Sequence, residues 1–233
     1  MTHPAQPRGG NLYVRDYDLM HGPAALAIRL RNEGWTGAAV NIVHPETARV
    51  LRGAGFDVWL YGLPGQCDPQ HLHAMQTRME MLATTLDCGA FPNMEKPYFD
   101  AAYWPDAGAA LLHLASKAPT GVATFEGLRA FAKHVATMPG GHAIWCALER
   151  YHRQLGAPLD YWQEAIGRWQ SFGFAAVVPI FGCYPAAGHD NDIATVVKVY
   201  DSYPSTKAVP AFDWATHVRH GAELDAVKRW LAR

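Results

Sequence analysis

Short apolar runs alternate with stretches of helical period eight times along the chain, and this rhythm, sustained to the last residue, leaves few folds open. The strand candidates are 12–16, 37–43, 58–61, 90–95, 121–125, 142–148, 175–181 and 208–213. Helical patterns follow each: 23–32 closed by Gly34, one opened by Pro45, then 68–86, 107–117, 128–137, 161–172, 192–200 and 222–231. Eight such units in 233 residues match a (β/α)8 barrel of the TIM type, near the small end of its size range. The rival is a doubly wound open sheet. No G-x-G-x-x-G or G-x-x-x-x-G-K-[ST] stands at any strand-to-helix turn, so the usual nucleotide cradle of that fold is missing. The expectation is an α/β protein with one barrel domain over 11–233, preceded by a flexible leader, 1–10, that is polar and rich in Pro and Gly.

Composition narrows the function. Residues that are 49% hydrophobic supply one sizeable core. Twenty Lys and Arg against twenty-one Asp and Glu leave a net charge of -1, no field to hold a phosphate backbone or an anionic bilayer. No run approaches the roughly 20 apolar residues of a membrane span, and the first ten residues carry no apolar signal core. The chain is therefore expected to be cytoplasmic or virion-associated, with neither nucleic acid nor membrane as partner. Cys67, Cys88, Cys146 and Cys183 lie far apart with no C-x-x-C, and read as reduced, mostly buried thiols. Neither cofactor nor metal is expected: His71 and His73 are two apart in a helical pattern and do not face one another, His217 and His220 are three apart beyond the last strand, and H-E-x-x-H is absent. Cys183 follows Gly182 with no basic partner in view, and there is no G-x-S-x-G.

In such barrels chemistry gathers where the strands end. Period-two alternation assigns faces. It puts Leu12, Val14 and Asp16 inward on the first strand, with Tyr13, Arg15 and Tyr17 on the other side. Asn41 reaches the mouth from the second strand, Trp59 and Tyr61 from the third, Asn93 and Glu95 from the fourth, Glu149 from the sixth, and Asp213 ends an inward row of the eighth. Three acids, Asp16, Glu95 and Asp213, with Glu149 and Glu126 as weaker members, are expected around one mouth. Paired carboxylates are the working parts of glycoside hydrolysis: one gives a proton to the leaving oxygen, the other attacks or activates water. Glu95 suits the acid, and the loop after it, with Tyr98, Phe99, Tyr103 and Trp104, offers aromatic faces for sugar rings. Each feature also has a plainer use. A strand-end acid often caps the next helix, as Glu126 before Gly127 suggests, loop aromatics often only pack, and Asp213-Trp214 would serve as a structural end.

These residues carry a family resemblance. Tyr13-Val14-Arg15-Asp16, Asn93-Met94-Glu95-Lys96-Pro97 and Phe212-Asp213-Trp214 together resemble the lysozyme-like (muramidase) barrels of glycoside hydrolase family twenty-five and the related glycoside hydrolase-like domains. The resemblance implies a small, irregular β/α barrel that cleaves peptidoglycan glycan strands, as phage and bacterial lysins do. It implies Glu95 as proton donor and Asp16 as the first-strand carboxylate. The family's fourth strand ends in Asp-x-Glu, and this chain has Asn93 in place of that Asp. Asn keeps the hydrogen-bonding shape without the charge and cannot serve as base, which passes that role to Asp16 or Asp213. Asp18 competes with Asp16 for the match.

The sequence reading is thus a glycosidase-like barrel acting on a polysaccharide, most simply the peptidoglycan strand, with Glu95, Asp16 and Asp213 catalytic and Asn93, Asn41, Tyr61, Trp59, Tyr98, Trp104 and Glu149 binding substrate. A catalytically degenerate barrel that binds cell wall or joins a phage particle is the alternative. A metal-dependent barrel hydrolase is the second.

Overall fold

The structure is a computed structural model that describes residues 3–151, 161–182, 193–213 and 221–233. Eight strands appear in the expected order: β1 (Gly10–Tyr13), β2 (Gly37–Asn41), β3 (Asp57–Gly62), β4 (Gly89–Pro92), β5 (Gly121–Thr124), β6 (Trp145–Tyr151), β7 (Val177–Gly182) and β8 (Ala211–Asp213). Between and after them run α1 (Gly22–Glu33), α2 (Pro45–Gly53), α3 (Leu72–Leu86), α4 (Trp104–Ala115), α5 (Arg129–Thr137), α6 (Tyr161–Gln170), α7 (Ile193–Ser202) and α8 (Gly221–Ala232). All strand pairs are parallel, in the order β4-β3-β2-β1-β8-β7-β6-β5. The ring closes between β4 and β5 through two single bridges, Ala90 to Thr120 and Asn93 to Ala123. This is the (β/α)8 barrel, in one domain. No helix among the described residues is long and apolar enough to cross a membrane.

A parallel barrel buries both faces of every strand. The outward faces pack against the helices through Leu12, Val14, Ala38, Val40, Val58, Leu60, Val122, Cys146 and Leu148. The inward faces build a second, aromatic core from Tyr13, Trp59, Tyr61, Phe91, Trp145 and Phe212, with Ala39, Ala123, Ala147, Val178 and Ile180 between them. Size alternation makes the fit. The indoles of Trp59 and Trp145 meet edge to face at 5.0 Å across the lower barrel, and each lies over a strand glycine. A methyl on Gly89 would stand 2.1 Å from the Trp59 ring, and one on Gly121 2.4 Å from the Trp145 ring. Higher up, Tyr13 lies 4.1 Å from Tyr61, and Phe91 5.0 Å from Phe212.

Two face assignments are reversed. β1 turns Tyr13 into the barrel and sends Leu12 and Val14 to the helix layer, and β8 does the same with Phe212 and Ala211. Where both faces are apolar, hydrophobic alternation does not choose a face; here the bulkier aromatic takes the lumen.

From His3 onward, the segment expected as a loose leader packs beneath the barrel. The His3 ring is buried, meets Trp59 edge to face at 4.6 Å, and its Nε2 receives the Gly89 N–H at 3.2 Å. A cavity of about 800 Å³ beside it, lined by Arg8, Arg52, Asp57 and Asp87, lies at the N-terminal ends of the strands, far from the catalytic face of such barrels. Three cysteines, Cys67, Cys88 and Cys146, are free and buried, as expected. Burial pushes the thiols of Cys67 and Cys88 up to about 12 and Cys146 higher than its ordinary value, which makes them poor nucleophiles.

Candidate active site

At the C-terminal mouth, β4 hands its inward alternation on past its last residue. Phe91 lies in the inner core and Met94 in the outer one, so Asn93 and Glu95 follow Phe91 inward. Asn93 is 3% exposed, and its amide Nδ2 donates to Glu95 Oε1 at 3.2 Å. Glu95 is half-buried. Burial raises its carboxyl above the usual range and Asp68 adds to this, while the Asn93 donor and the Lys96 charge pull the other way. The Asn93 Oδ1 is buried, with no hydrogen-bond partner among the described residues.

Around this pair stand the other inward residues. Asn41 ends β2 in register with Tyr61, and its Oδ1 accepts the Val43 N–H at 3.0 Å. The Tyr61 hydroxyl donates to the Val14 carbonyl at 3.0 Å, and burial pushes its phenol up to about 12. Glu149 lies two residues beyond Ala147 of the inner core, only 8% exposed, with a second carboxylate at the same end of the barrel. Arg15 is the residue that sequence reasoning placed on the wrong side. Tyr13 points in and Val14 out, so the half-buried Arg15 returns to the inner side, where its charge acts on the Tyr61 phenol. The signal was present: a large aromatic two residues before an Arg at a strand end.

Several expected members are elsewhere. Asp16 is at the rim but its side chain is 98% exposed, facing His44 Nε2 at 3.2 Å, because the chain leaves the strand before it and turns into a 3-10 helix over Asp16–Leu19. Its rival Asp18 is buried against Arg29 and accepts the Arg15 backbone N–H. Asp213 shares the outward face of Ala211 and accepts the Tyr200 hydroxyl at 2.9 Å, which fastens β8 to α7 in the helix layer. Trp59 points inward as expected, but fully buried in the lower barrel. Tyr98 is buried outside the barrel, stacked on Phe131 at 5.2 Å with its hydroxyl on the Cys67 carbonyl. Trp104 donates to the Tyr98 carbonyl at 2.8 Å and packs on the outer core. Glu126 holds Arg168 at 2.8 Å and the Trp169 indole at 2.9 Å, a structural post for α6. Cys183, Trp214, His217 and His220 lie outside the described residues.

The rim itself is apolar on one side. Of seven exposed large hydrophobic side chains among the described residues, five follow the first four strands: Met20, Val43, Leu63, Phe99 and Tyr103. The exposed aromatics of the β4 loop are thus Phe99 and Tyr103, rather than Tyr98 and Trp104. Among the described residues no three His, Cys, Asp or Glu side chains come together as a metal-binding group.

The mouth therefore offers two inward carboxylates, Glu95 and Glu149, an amide positioned on one of them, a cation, and a partly apolar rim. No protein-family model matches the chain, and no curated protein matches its sequence. Solved structures with a similar fold include the β-mannanase of Thermomonospora fusca, with TM-score 0.58 and 10% identity over 94% of this chain and 82% of that one. They also include a D-psicose 3-epimerase in the presence of D-fructose, at 0.56 and 10% over 96% and 97%. A third is the dihydrodipicolinate synthase of Rhodopseudomonas palustris, at 0.56 and 11% over 100% and 77%. The fold is thus shared with a glycoside hydrolase and a sugar epimerase, and with an enzyme whose name is not that of a sugar enzyme. Identity this low establishes architecture, and function has to be argued from the site.

Proposed function

We propose that the protein hydrolyses a glycosidic bond of a polysaccharide, with Glu95 as proton donor and Glu149 as the opposing carboxylate. The observation that carries this reading is the Asn93–Glu95 pair, a half-buried carboxyl raised by burial and held from one side by a neutral amide. The protonated Glu95 gives its proton to the glycosidic oxygen as the C–O bond breaks. Glu149 then either bonds to the anomeric carbon, to be displaced by water, or takes a proton from the water that attacks it. Asn41, Tyr61 and Arg15 line the same mouth and would meet sugar hydroxyls; Phe99 and Tyr103 offer exposed rings to their C–H faces. The presence of a mannanase and a sugar epimerase among the similar folds fits a carbohydrate ligand.

Within that reading the peptidoglycan strand is the first polysaccharide to try, on the strength of the β4 motif in the sequence. Purified protein is incubated with bacterial cell walls, chitooligosaccharides and β-mannan, and new reducing ends are counted with and without chelator. Wild type is expected to release them, and Glu95→Gln to be slower by about 10²-fold or more. Equal rates would remove Glu95 from the acid role. The second reading, a barrel that binds glycan without cleaving it, is favoured by Asn93 standing where an acid would be, and retention on cell walls with no new reducing ends supports it. Turnover abolished by chelator and restored by a divalent ion would replace both with metal-assisted hydrolysis.

A further inference from the structure

Beneath the barrel, the cavity of about 800 Å³ beside His3 is walled by the N-terminal segment, the turn from α2 into β3 and the turn from α3 into β4. Pro4 and Leu86 give it apolar sides, and Gly53 leaves it open, since nothing stands within 4 Å of where a Cβ on that glycine would lie. Most of its polar groups are engaged. His3 Nδ1 donates to the Pro4 carbonyl at 3.0 Å and its Nε2 receives the Gly89 N–H. Arg52 donates from Nε to the Asp87 carbonyl at 2.8 Å and pairs with the Asp87 carboxylate. Two charges are left over. The exposed Arg8 and the half-buried Asp57, at the start of β3, carry no side-chain hydrogen bond or ion pair among the described residues, with each other or with any other group. Asp57 lies close enough to the His3 ring for its charge to act on it.

We propose that this cavity is a binding site for a small zwitterion, a molecule with a carboxylate for Arg8 and an ammonium for Asp57 joined by a short apolar spine. The volume is that of a small-molecule site. Its two free charges have opposite sign and do not meet, so an anion alone is repelled by Asp57, a cation alone by Arg8, and a neutral molecule leaves both unanswered. A zwitterion satisfies both, the guanidinium taking its carboxylate as a planar, two-pronged contact. A free amino acid with its charges at opposite ends and a short peptide share this chemistry. The site is on the opposite end of the barrel from the mouth and stands apart from the reaction there. A molecule seated in it packs against the segment that carries His3, whose ring holds the first amide of β4, so occupancy braces the floor of the barrel.

The test is NMR titration with thermal melts at low salt. 4-Aminobutanoate and glycylglycine are the amino-acid and peptide probes, and butanoate and butylamine the controls that carry one charge each. Wild type is expected to bind at least one zwitterion about tenfold or more tightly than either control. The amides of Gly55 and Gly89 should shift and Tm should rise with its concentration; the tighter zwitterion tells which source the site is built for. Arg8→Gln should reduce that zwitterion to the affinity of butylamine, and Asp57→Asn to that of butanoate. Were the two charges merely structural, the variants would lower Tm and leave the ranking of the probes alone. Gly53→Leu fills the cavity from the end of α2, where there is space for a side chain, and should abolish binding in a protein that still melts cooperatively. Equal affinity for all four probes, binding of neither zwitterion, shifts confined to the mouth, or a preference that survives any of the three variants would overturn the proposal.

Discussion

A single heavy atom separates Asn93 from an aspartate. Its Nδ2 donates to Glu95, which steadies the charged carboxylate, whereas an Asp there would press a like charge against it. In Asn93→Asp the Glu95 carboxyl is expected to hold its proton to higher pH. If Glu95 is the acid proposed above, it acts only while protonated, so the alkaline limb of the pH–rate profile should move upward, measurable as reducing ends released across pH 4 to about 9. Stability follows the same proton. Glu95 is raised in the folded state, so its contribution is present below the ordinary carboxyl range and lost as pH rises through its folded value. Glu95→Gln, always neutral, should therefore melt above wild type at neutral pH and level with it at about pH 4. Asp213 makes the opposite case. Buried on the outer face and holding the Tyr200 hydroxyl, it is expected to cost about 1–3 kcal/mol when changed to Ala, a drop of several degrees in Tm.

At the scale of elements, the eight units and their order were readable because length, punctuation and the switch of period are local properties of the chain. Prolines opened α1 and α2 and Gly34 closed α1, at φ 93°, as their backbone chemistry requires. Face was not local. On β2, β3, β4 and β6 a polar or bulky residue at the strand end marked the lumen correctly. On β1 and β8 the apolar residues fall on both rows, and the packing of Tyr13 and Phe212 into the shared aromatic core decides between them. That one-residue ambiguity misplaced Asp213, and for Asp16 the 3-10 turn that opens at this residue adds to it, while Asn41, Asn93, Glu95 and Glu149 follow the inward face that alternation gives them. The glycines of β4 and β5 show how tight this core is. Gly121→Ala puts a methyl into the Trp145 ring and should cost about 1–3 kcal/mol, whereas Gly53→Ala, at the C-terminal end of α2 with open space around it, should not. Chemical denaturation of the two variants compares them.

For the whole molecule, the aromatic core is sealed from below by the N-terminal segment. His3 sits in a buried place that disfavours its charged form, so its pKa is lowered and its contribution is lost as pH falls below the ordinary value of 6.5. Wild type should lose thermal stability through that window, and His3→Phe should show a flatter dependence in a series of melts from pH 7.5 to about 5. Above this floor, the strand that leads into Glu95 is also the strand that joins β5 through isolated bridges alone. Unzipping of the ring is cheapest along that joint, so amides of β4 should exchange with deuterium ahead of those of β2 and β3. Mild denaturant would then scatter Glu95 from the Asn93 amide while the helices outside still hold their shape.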